Sequence, residues 1–274
     1  MITVEANGAK IPSIGLGTWA LRGEVATRMV ASAIESGYRH IDTAARYENE
    51  AAVGEGLRAS SVPRSEIFLT TKIWPDCFRA DDFRASVKER LDLLKVDHVD
   101  LLLLHWPNDE VPLAETIEAL NWAKATGLTR HIGVSNFTTR YIAEAVRLST
   151  APLVCNQVEY HPFLLQDKVM QATRAVGMAF TAYRPINRGV VQDNETIAGI
   201  AKKHGKSAVQ VTLRWLVQQE GVVAIPRSSN EARITENLGV FDFALSDAEM
   251  SRISALGSPT GRLVNGAFAP AWDA

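Results

Sequence analysis

The chain has 274 residues, 46% hydrophobic and 22% charged, with a net charge of −2 at pH 7. That length suits two average domains or one large α/β barrel of about 250 residues, and the near-neutral balance lacks the clustered basic residues of a nucleic-acid-binding domain. No apolar run reaches the roughly 18 residues of a membrane span, and the opening MITVEANGAKIP has neither the basic start nor the apolar core of a signal peptide. Cys77 and Cys155 show neither metal-ligand spacing nor a disulfide framework, so a reducing, cytoplasmic setting is expected.

In chain order, the first element is a predicted hairpin, because Asn7-Gly8 separates two short extended runs. It is expected to plug the bottom of a barrel. Eight apolar runs follow, at 13–17, 40–42, 68–71, 99–105, 131–135, 154–159, 179–183 and 222–226. Runs such as VDLLLL are apolar without alternation, as in strands buried on both faces of a parallel sheet. Between the runs lie stretches with helical spacing, among them Val25, Met29, Ala33 and Ile34, and later Val209, Leu213, Leu216 and Val217. No linker or low-complexity segment divides the sequence. Eight strand–helix units over residues 1–274 predict one α/β domain, a (β/α)8 TIM barrel. The stretch 257–274, with prolines and glycines, reads as a loop over the other end.

Active sites of such barrels are built at the C-terminal ends of the strands. Asp42, Lys72, His105, Ser135, Asn136, Gln157, Tyr183 and Arg227 each end one of the runs or lie just past it. Asp42, Tyr47, Lys72 and His105 form a proton-donating group. A tyrosine with a pKa near ~10 is a poor acid at pH 7, and an adjacent lysine is expected to lower that value, with a carboxylate keeping the lysine charged. His105 then polarises and orients a carbonyl, and a nicotinamide cofactor supplies the hydride. A structural Asp42–Lys72 ion pair, a packed tyrosine and a satisfied histidine are the bland alternatives, taken singly.

The motifs GxxxIDTAxxYxNE (37–50), TTKIW (70–74), LLLLHWP (101–107), GVSNF (133–137) and NQVEYHP (156–162) together resemble the aldo-keto reductases along essentially the whole chain. The ending GRLVNGAFAPAWD (261–273) resembles the small bacterial branch that includes 2,5-diketo-gluconate and methylglyoxal reductases. The resemblance implies that Asp42, Tyr47, Lys72 and His105 are catalytic, with Tyr47 as general acid. It places Ser135, Asn136 and Gln157 at the nicotinamide carboxamide and stacks Tyr183 on the ring. Gly17, Thr18, Trp19 and Asp42 are also assigned to the cofactor side of the site.

The segment IPRSSNEARITEN (225–237) opens a helix, whose N-terminus suits an anion. By the same resemblance Arg227, Ser228 and Arg233 grip a 2′-phosphate, with Glu236 and Asn237 at adenine, which favours NADPH/NADP+. Arg227 stands where relatives more often carry lysine. A larger departure follows Tyr183: Arg184, Pro185, Ile186 and Asn187 replace Ser-Pro-Leu-Gly on the loop expected against the pyrophosphate, with Arg188 beside them. Arg184 either adds charge there or points elsewhere.

Trp19, Trp74 and Trp106 follow strands one, three and four and are expected to wall the substrate pocket beside Tyr47 and His105, with Trp272 and Phe268 adding a side. Arg22 is a candidate for a substrate carboxylate or a surface residue. Specificity is assigned to loops 20–24, 107–114 and 257–274. Gly15-Leu16-Gly17-Thr18-Trp19-Ala20 imitates a dinucleotide fingerprint, but a hairpin precedes it and Arg22-Gly23 intervene before any helix signal. No His-x-His suggests a metal-dependent hydrolase. The expectation is a monomeric NADPH-dependent reductase of small carbonyl compounds, without metal, nucleic-acid or membrane partners. The competing reading is a non-catalytic cofactor-binding regulatory protein on the same barrel.

Overall fold

The computed structural model describes residues 2–273. The hairpin forms from β1 (Thr3–Ala6) and β2 (Ala9–Pro12), paired antiparallel from Thr3↔Pro12 to Ala6↔Ala9. Its turn needs left-handed backbone at both central residues, and Asn7 (φ 44°) and Gly8 (φ 87°) supply it. The plug is real. Ala6, Ala9 and Ile11 share an apolar cluster with Leu101, Leu103, Val154, Cys155, Ala179 and Val223, and the Asn7 amide donates to the carbonyls of Leu153 (2.7 Å) and Val176 (3.0 Å) at the lower end of the barrel.

The eight predicted runs become β3 (Leu16–Gly17), β4 (His40–Asp42), β5 (Phe68–Ile73), β6 (Val99–Leu104), β7 (Thr129–Ser135), β8 (Leu153–Glu159), β9 (Ala179–Tyr183) and β10 (Val222–Ala224), parallel and in chain order. The Gly15 N–H donates to Ala224 O and the Ala224 N–H to Ser13 O, both at 2.9 Å, joining the first strand to the last. The (β/α)8 barrel expectation therefore holds. At Gly133 on β7 an added Cβ would meet Cys155 O at 2.7 Å and Leu103 Cδ2 at 2.8 Å, so only glycine lets these strands close at the register shift between Ile132 and Val134.

Helices α1 (Gly23–Glu35), α2 (Glu50–Ala59), α3 (Ala80–Leu94), α4 (Leu113–Ala125), α5 (Thr139–Leu148) and α6 (Asp167–Ala175) alternate with strands β3 to β9. Both α7 (Glu195–His204) and α8 (Ala208–Val217) precede β10, and α9 (Glu231–Leu238) and α10 (Asp247–Ser254) follow it. The second core lies between sheet and helices and includes Met29, Ala33, Ile34, Leu213 and Leu216. Val25 does not join it. It is exposed on α1, whose buried face runs through Ala26, Met29, Val30, Ala33 and Ile34, and Val209 and Val217 are only partly buried. The 3.6-residue period fits several residues at one helix end equally well, and packing selects among them.

Among the described residues no helix follows α10. The tail makes one bridge, Leu164↔Ser258, and crosses the C-terminal ends of the strands, as the loop expectation required. No helix among the described residues is long and apolar enough to cross a membrane. No cluster of three His, Cys, Asp or Glu side chains among them could hold a metal ion.

Candidate active site

Parallel pairing sets the ends of neighbouring strands side by side: Asp42 lies opposite Thr70, Lys72 opposite Leu103, Ser135 opposite Gln157 and Glu159 opposite Tyr183. Inward-facing polar side chains from these ends meet in one buried network. Lys72, 0% exposed, extends its Nζ to Asp42 Oδ1 (2.6 Å), Thr43 O (2.8 Å) and the Tyr47 hydroxyl (3.2 Å). The other Asp42 oxygen accepts from Gln157 Nε2 at 2.7 Å. Such a fully paired buried charge avoids the several kcal/mol that an isolated ion costs in the interior.

Tyr47 comes from a short turn after β4, followed by Glu48 in the left-handed region (φ 53°). Its ring lies 5.0 Å from that of Trp19 and 5.8 Å from that of His105. The expected lowering of the tyrosine's pKa is overturned. Burial dominates and raises it above the ordinary value, against the opposing pull of Lys72. Burial also disfavours the Lys72 charge, but Asp42 and Tyr47 more than offset this and hold its pKa above the usual lysine value. His105 is driven well below 6.5, by burial first and then by the charges of Lys72 and Arg46, so it is neutral at pH 7. Its Nδ1 is buried without a partner among the described residues. The site thus presents a neutral phenol hydrogen-bonded to an ammonium, beside a neutral imidazole.

Around this centre the remaining predicted residues divide. The Ser135 hydroxyl donates to Gln157 O (2.7 Å), and Asn136, at φ 63°, donates to His105 O (3.0 Å) while accepting from the Tyr183 hydroxyl (2.8 Å). Amide groups and a tyrosine ring therefore lie next to Tyr47 and Lys72. Thr18 spends both its N–H and hydroxyl on Asp42 O at 3.0 Å, which makes it a support for the aspartate's backbone. At Gly17 a Cβ would strike Ile225 O at 2.8 Å, so the close approach of β3 to the segment after β10 requires glycine.

That segment is less open than a bare helix start. Asn230 caps α9 by accepting from the N–H groups of Ala232 and Arg233, and Ser228 hydrogen-bonds both ways with the Asn230 backbone. Arg227 and Arg233 are exposed, as is Glu236, while Asn237 is buried beside Tyr38. Arg227 reaches across to Ala20 O at 3.4 Å. On the loop after Tyr183, Arg184, Asn187 and Arg188 all have positive φ (50°, 45° and 55°), and Pro185 and Ile186 lie between them.

The aromatic wall is assembled as expected and extended. Trp74 stands 5.1 Å from His105 and 5.5 Å from Phe268, and Trp106 is 4.8 Å from Phe268 and 6.0 Å from Trp272. Trp19 is 48% exposed, at the mouth. Arg22 faces Glu48 at 3.1 Å on the surface.

Sequence reasoning missed the residues that hold the tail and the tyrosine turn. Glu159, fully buried at the end of β8, accepts from His161 Nε2 (3.1 Å), Leu263 N (2.7 Å) and Val264 N (2.8 Å). Those donors keep its pKa low even though burial opposes them. Asn49 bridges Thr18 O, Leu21 O and the Thr43 hydroxyl, pinning the turn that presents Tyr47. Both occur within motifs already singled out, but neither shows its partner in sequence.

The barrel thus gathers Asp42, Lys72, Tyr47 and His105 at the C-terminal ends of its strands. The model of the aldo/keto reductase family matches residues 13–258. The chain is 41% identical over 266 residues to methylglyoxal reductase DkgB of Salmonella typhi, covering 96% of this chain and 99% of that one. A solved structure assigned as 2,5-diketo-D-gluconic acid reductase B superposes with a TM-score of 0.98 at 50% identity, covering 100% of this chain and 98% of that one. An aldo-keto reductase of Bombyx mori in complex with NADP superposes with a TM-score of 0.89 at 33% identity, covering 96% and 94%. The chain belongs to the aldo/keto reductase family.

Proposed function

We propose that the protein is an NADPH-dependent reductase that converts small aldehydes and ketones to alcohols, with Tyr47 as general acid. The substrates we favour are small dicarbonyls such as methylglyoxal and keto-sugar acids such as 2,5-diketo-gluconate. The carrying observation is the single Lys72 ammonium shared between Asp42 (2.6 Å) and Tyr47 (3.2 Å) beside the His105 ring.

The donor set suits a nicotinamide cofactor. Ser135, Asn136 and Gln157 offer amide and hydroxyl groups at the strand ends, Tyr183 offers a ring face, and Arg188, Arg227 and Arg233 line the outer rim. Arginine's forked donors match phosphate better than a point charge does, which supports NADPH over NADH, with Ser228, Glu236 and Asn237 completing that end. The backbone of the loop from Arg184 to Arg188 would run along the pyrophosphate, and the Arg184 side chain either adds charge there or turns away from it. When bound, the reduced nicotinamide supplies the hydride.

His105, neutral, donates from a ring nitrogen to the substrate carbonyl oxygen and fixes its position. As the carbonyl carbon gains the hydride, negative charge grows on that oxygen, and the Tyr47 hydroxyl delivers its proton there. The resulting phenolate lies beside Lys72, whose charge is held by Asp42. Burial that raises the tyrosine's pKa keeps it protonated beforehand, and Lys72 lowers the cost of its ionisation during the step. Trp19, Trp74, Trp106, Phe268 and Trp272 provide the apolar surround. All catalytic groups come from one chain, so a monomer suffices, and the free Cys77 and Cys155 suit a reducing cytoplasm.

The test is the loss of NADPH absorbance on adding methylglyoxal, 2,5-diketo-gluconate or an aromatic aldehyde. Turnover that Tyr47→Phe abolishes supports the reading. Firm NADPH binding with no turnover of any carbonyl would replace it with a cofactor-sensing role.

A further inference from the structure

Two guanidinium groups at the rim lack the partners that buried charges normally have. Nη1 of Arg184 and Nη1 of Arg262 are both buried with no hydrogen-bond partner among the described residues. Burial pulls both side chains below the ordinary arginine value, and Arg188 adds to the effect at Arg184. The nearby carboxylate, Glu159, acts on both charges through space, but it accepts from His161, Leu263 and Val264, and no ion pair joins it to either arginine among the described residues. A buried guanidinium N–H with no acceptor is costly and marks a place for an anion.

Their position says which anion. Arg262 lies on the tail with its Cζ 3.5 Å from the centre of the Trp272 ring. From Trp272 an unbroken aromatic line runs through Trp106, Phe268 and Trp74 to the catalytic His105. Arg262 therefore belongs to the substrate wall, not to the outer rim where Arg227 and Arg233 stand. Arg184 follows Tyr183 directly, in a strained left-handed conformation (φ 50°) that an arginine adopts only when its surroundings enforce it. Its charge reaches both Tyr183 and Tyr47. Arg22, the sequence's candidate for this task, is occupied with Glu48 on the surface.

We propose that Arg262, with Arg184 adding its charge from the loop after Tyr183, binds the carboxylate of an oxo-acid substrate whose carbonyl lies at Tyr47 and His105. The proposal rests on the reductase reading and narrows it to carbonyl compounds carrying a second, anionic end. Trp272 holds the Arg262 plane, so the fork meets a carboxylate with two parallel N–H donors. The pyrophosphate of the cofactor is the alternative anion, and the two make different demands.

The experiment compares 4-oxobutanoate with its methyl ester in the wild type and in Arg262→Met, Arg262→Lys and Arg184→Met. The ratio of kcat/KM for the acid to that for the ester is expected to fall about tenfold or more in Arg262→Met, through KM, and to recover in part in Arg262→Lys. A smaller fall is expected in Arg184→Met. An unchanged ratio overturns the proposal. So does a loss confined to NADP+ affinity, read by quenching of tryptophan fluorescence, because it assigns the pair to pyrophosphate. A second titration needs no turnover: 4-hydroxybutanoate should bind the NADP+ complex at least tenfold more tightly than 1,4-butanediol, with the preference lost in Arg262→Met. If that preference holds while no carbonyl is reduced, the anion site stands and the reductase reading falls; if it is absent, the anion site falls.

Discussion

The two ends of the barrel each carry a buried aspartate held by several donors, and they do different things with it. At the upper end Asp42 takes Lys72 and Gln157, and through Lys72 its charge reaches a hydroxyl at the edge of a cleft. At the lower end Asp100 takes the Leu69 N–H (3.0 Å), Arg64 (2.8 Å) and Arg130 (3.4 Å), and its neighbours are ladder backbone and surface arginines. One network ends on a group that can release a proton, and the other ends in structure. A buried carboxylate is thus no marker of function; what it leads to decides the matter.

Damage at the two ends should accordingly separate activity from stability. Tyr47→Phe removes the acid and nothing that holds the barrel, so kcat should fall ~10²–10⁴-fold with Tm nearly unchanged in a melting scan. Equal losses of both would break the contrast. Asp100→Ala should do the reverse, costing roughly 2–3 kcal/mol in denaturant unfolding by stranding the Leu69 N–H and Arg64, while kcat stays near wild type.

Glu50 sharpens the contrast at the flank of the barrel. It accepts from Thr71 at 2.5 Å and pairs with Arg90 at 2.9 Å, yet burial outweighs both and raises its pKa to about 7. A raised carboxyl binds a proton in the folded state that the unfolded chain has released. Its ionisation therefore withdraws stability as the pH climbs from about 4.5 to about 7, by on the order of 2–3 kcal/mol. Urea midpoints across that window should fall in the wild type and flatten in Glu50→Gln. The smallest effect belongs to the plug: Asn7→Ala loses two hydrogen bonds and a favoured left-handed turn residue, about 1 kcal/mol, seen as a Tm lower by about 2–4 °C.

The residues differ in how far they could be read beforehand. Asp42, Lys72 and His105 were legible because each breaks or ends an apolar run, and the barrel converts that shared position into proximity. The hairpin was legible from Asn7-Gly8 alone. The direction of the Tyr47 shift was not, because desolvation comes from every wall of the pocket at once, including Trp19 and His105 from other strands. Nor was the clasp between Glu159 and the tail, whose partners Leu263 and Val264 lie more than a hundred residues away and contribute only backbone. Arg262 was passed over for the same reason: tail residues follow no period, and their placement is decided by what the barrel offers them. Val25 and Arg22 show the converse, where a plausible side chain at a plausible spacing turned outward.

The clasp at Glu159 has a consequence for how such a protein can diversify. The carboxylate grips peptide N–H groups, which every residue but proline supplies, so this clasp is indifferent to the side chains at 263 and 264. Residues 265–272, which carry Phe268 and Trp272, can be exchanged like a cartridge between that socket on β8 and the second anchor, Asp273 on Thr139. In the proposed reductase, substrate preference is thereby free to drift or be grafted without renegotiating the strand ends that hold Asp42 and Lys72 beside Tyr47.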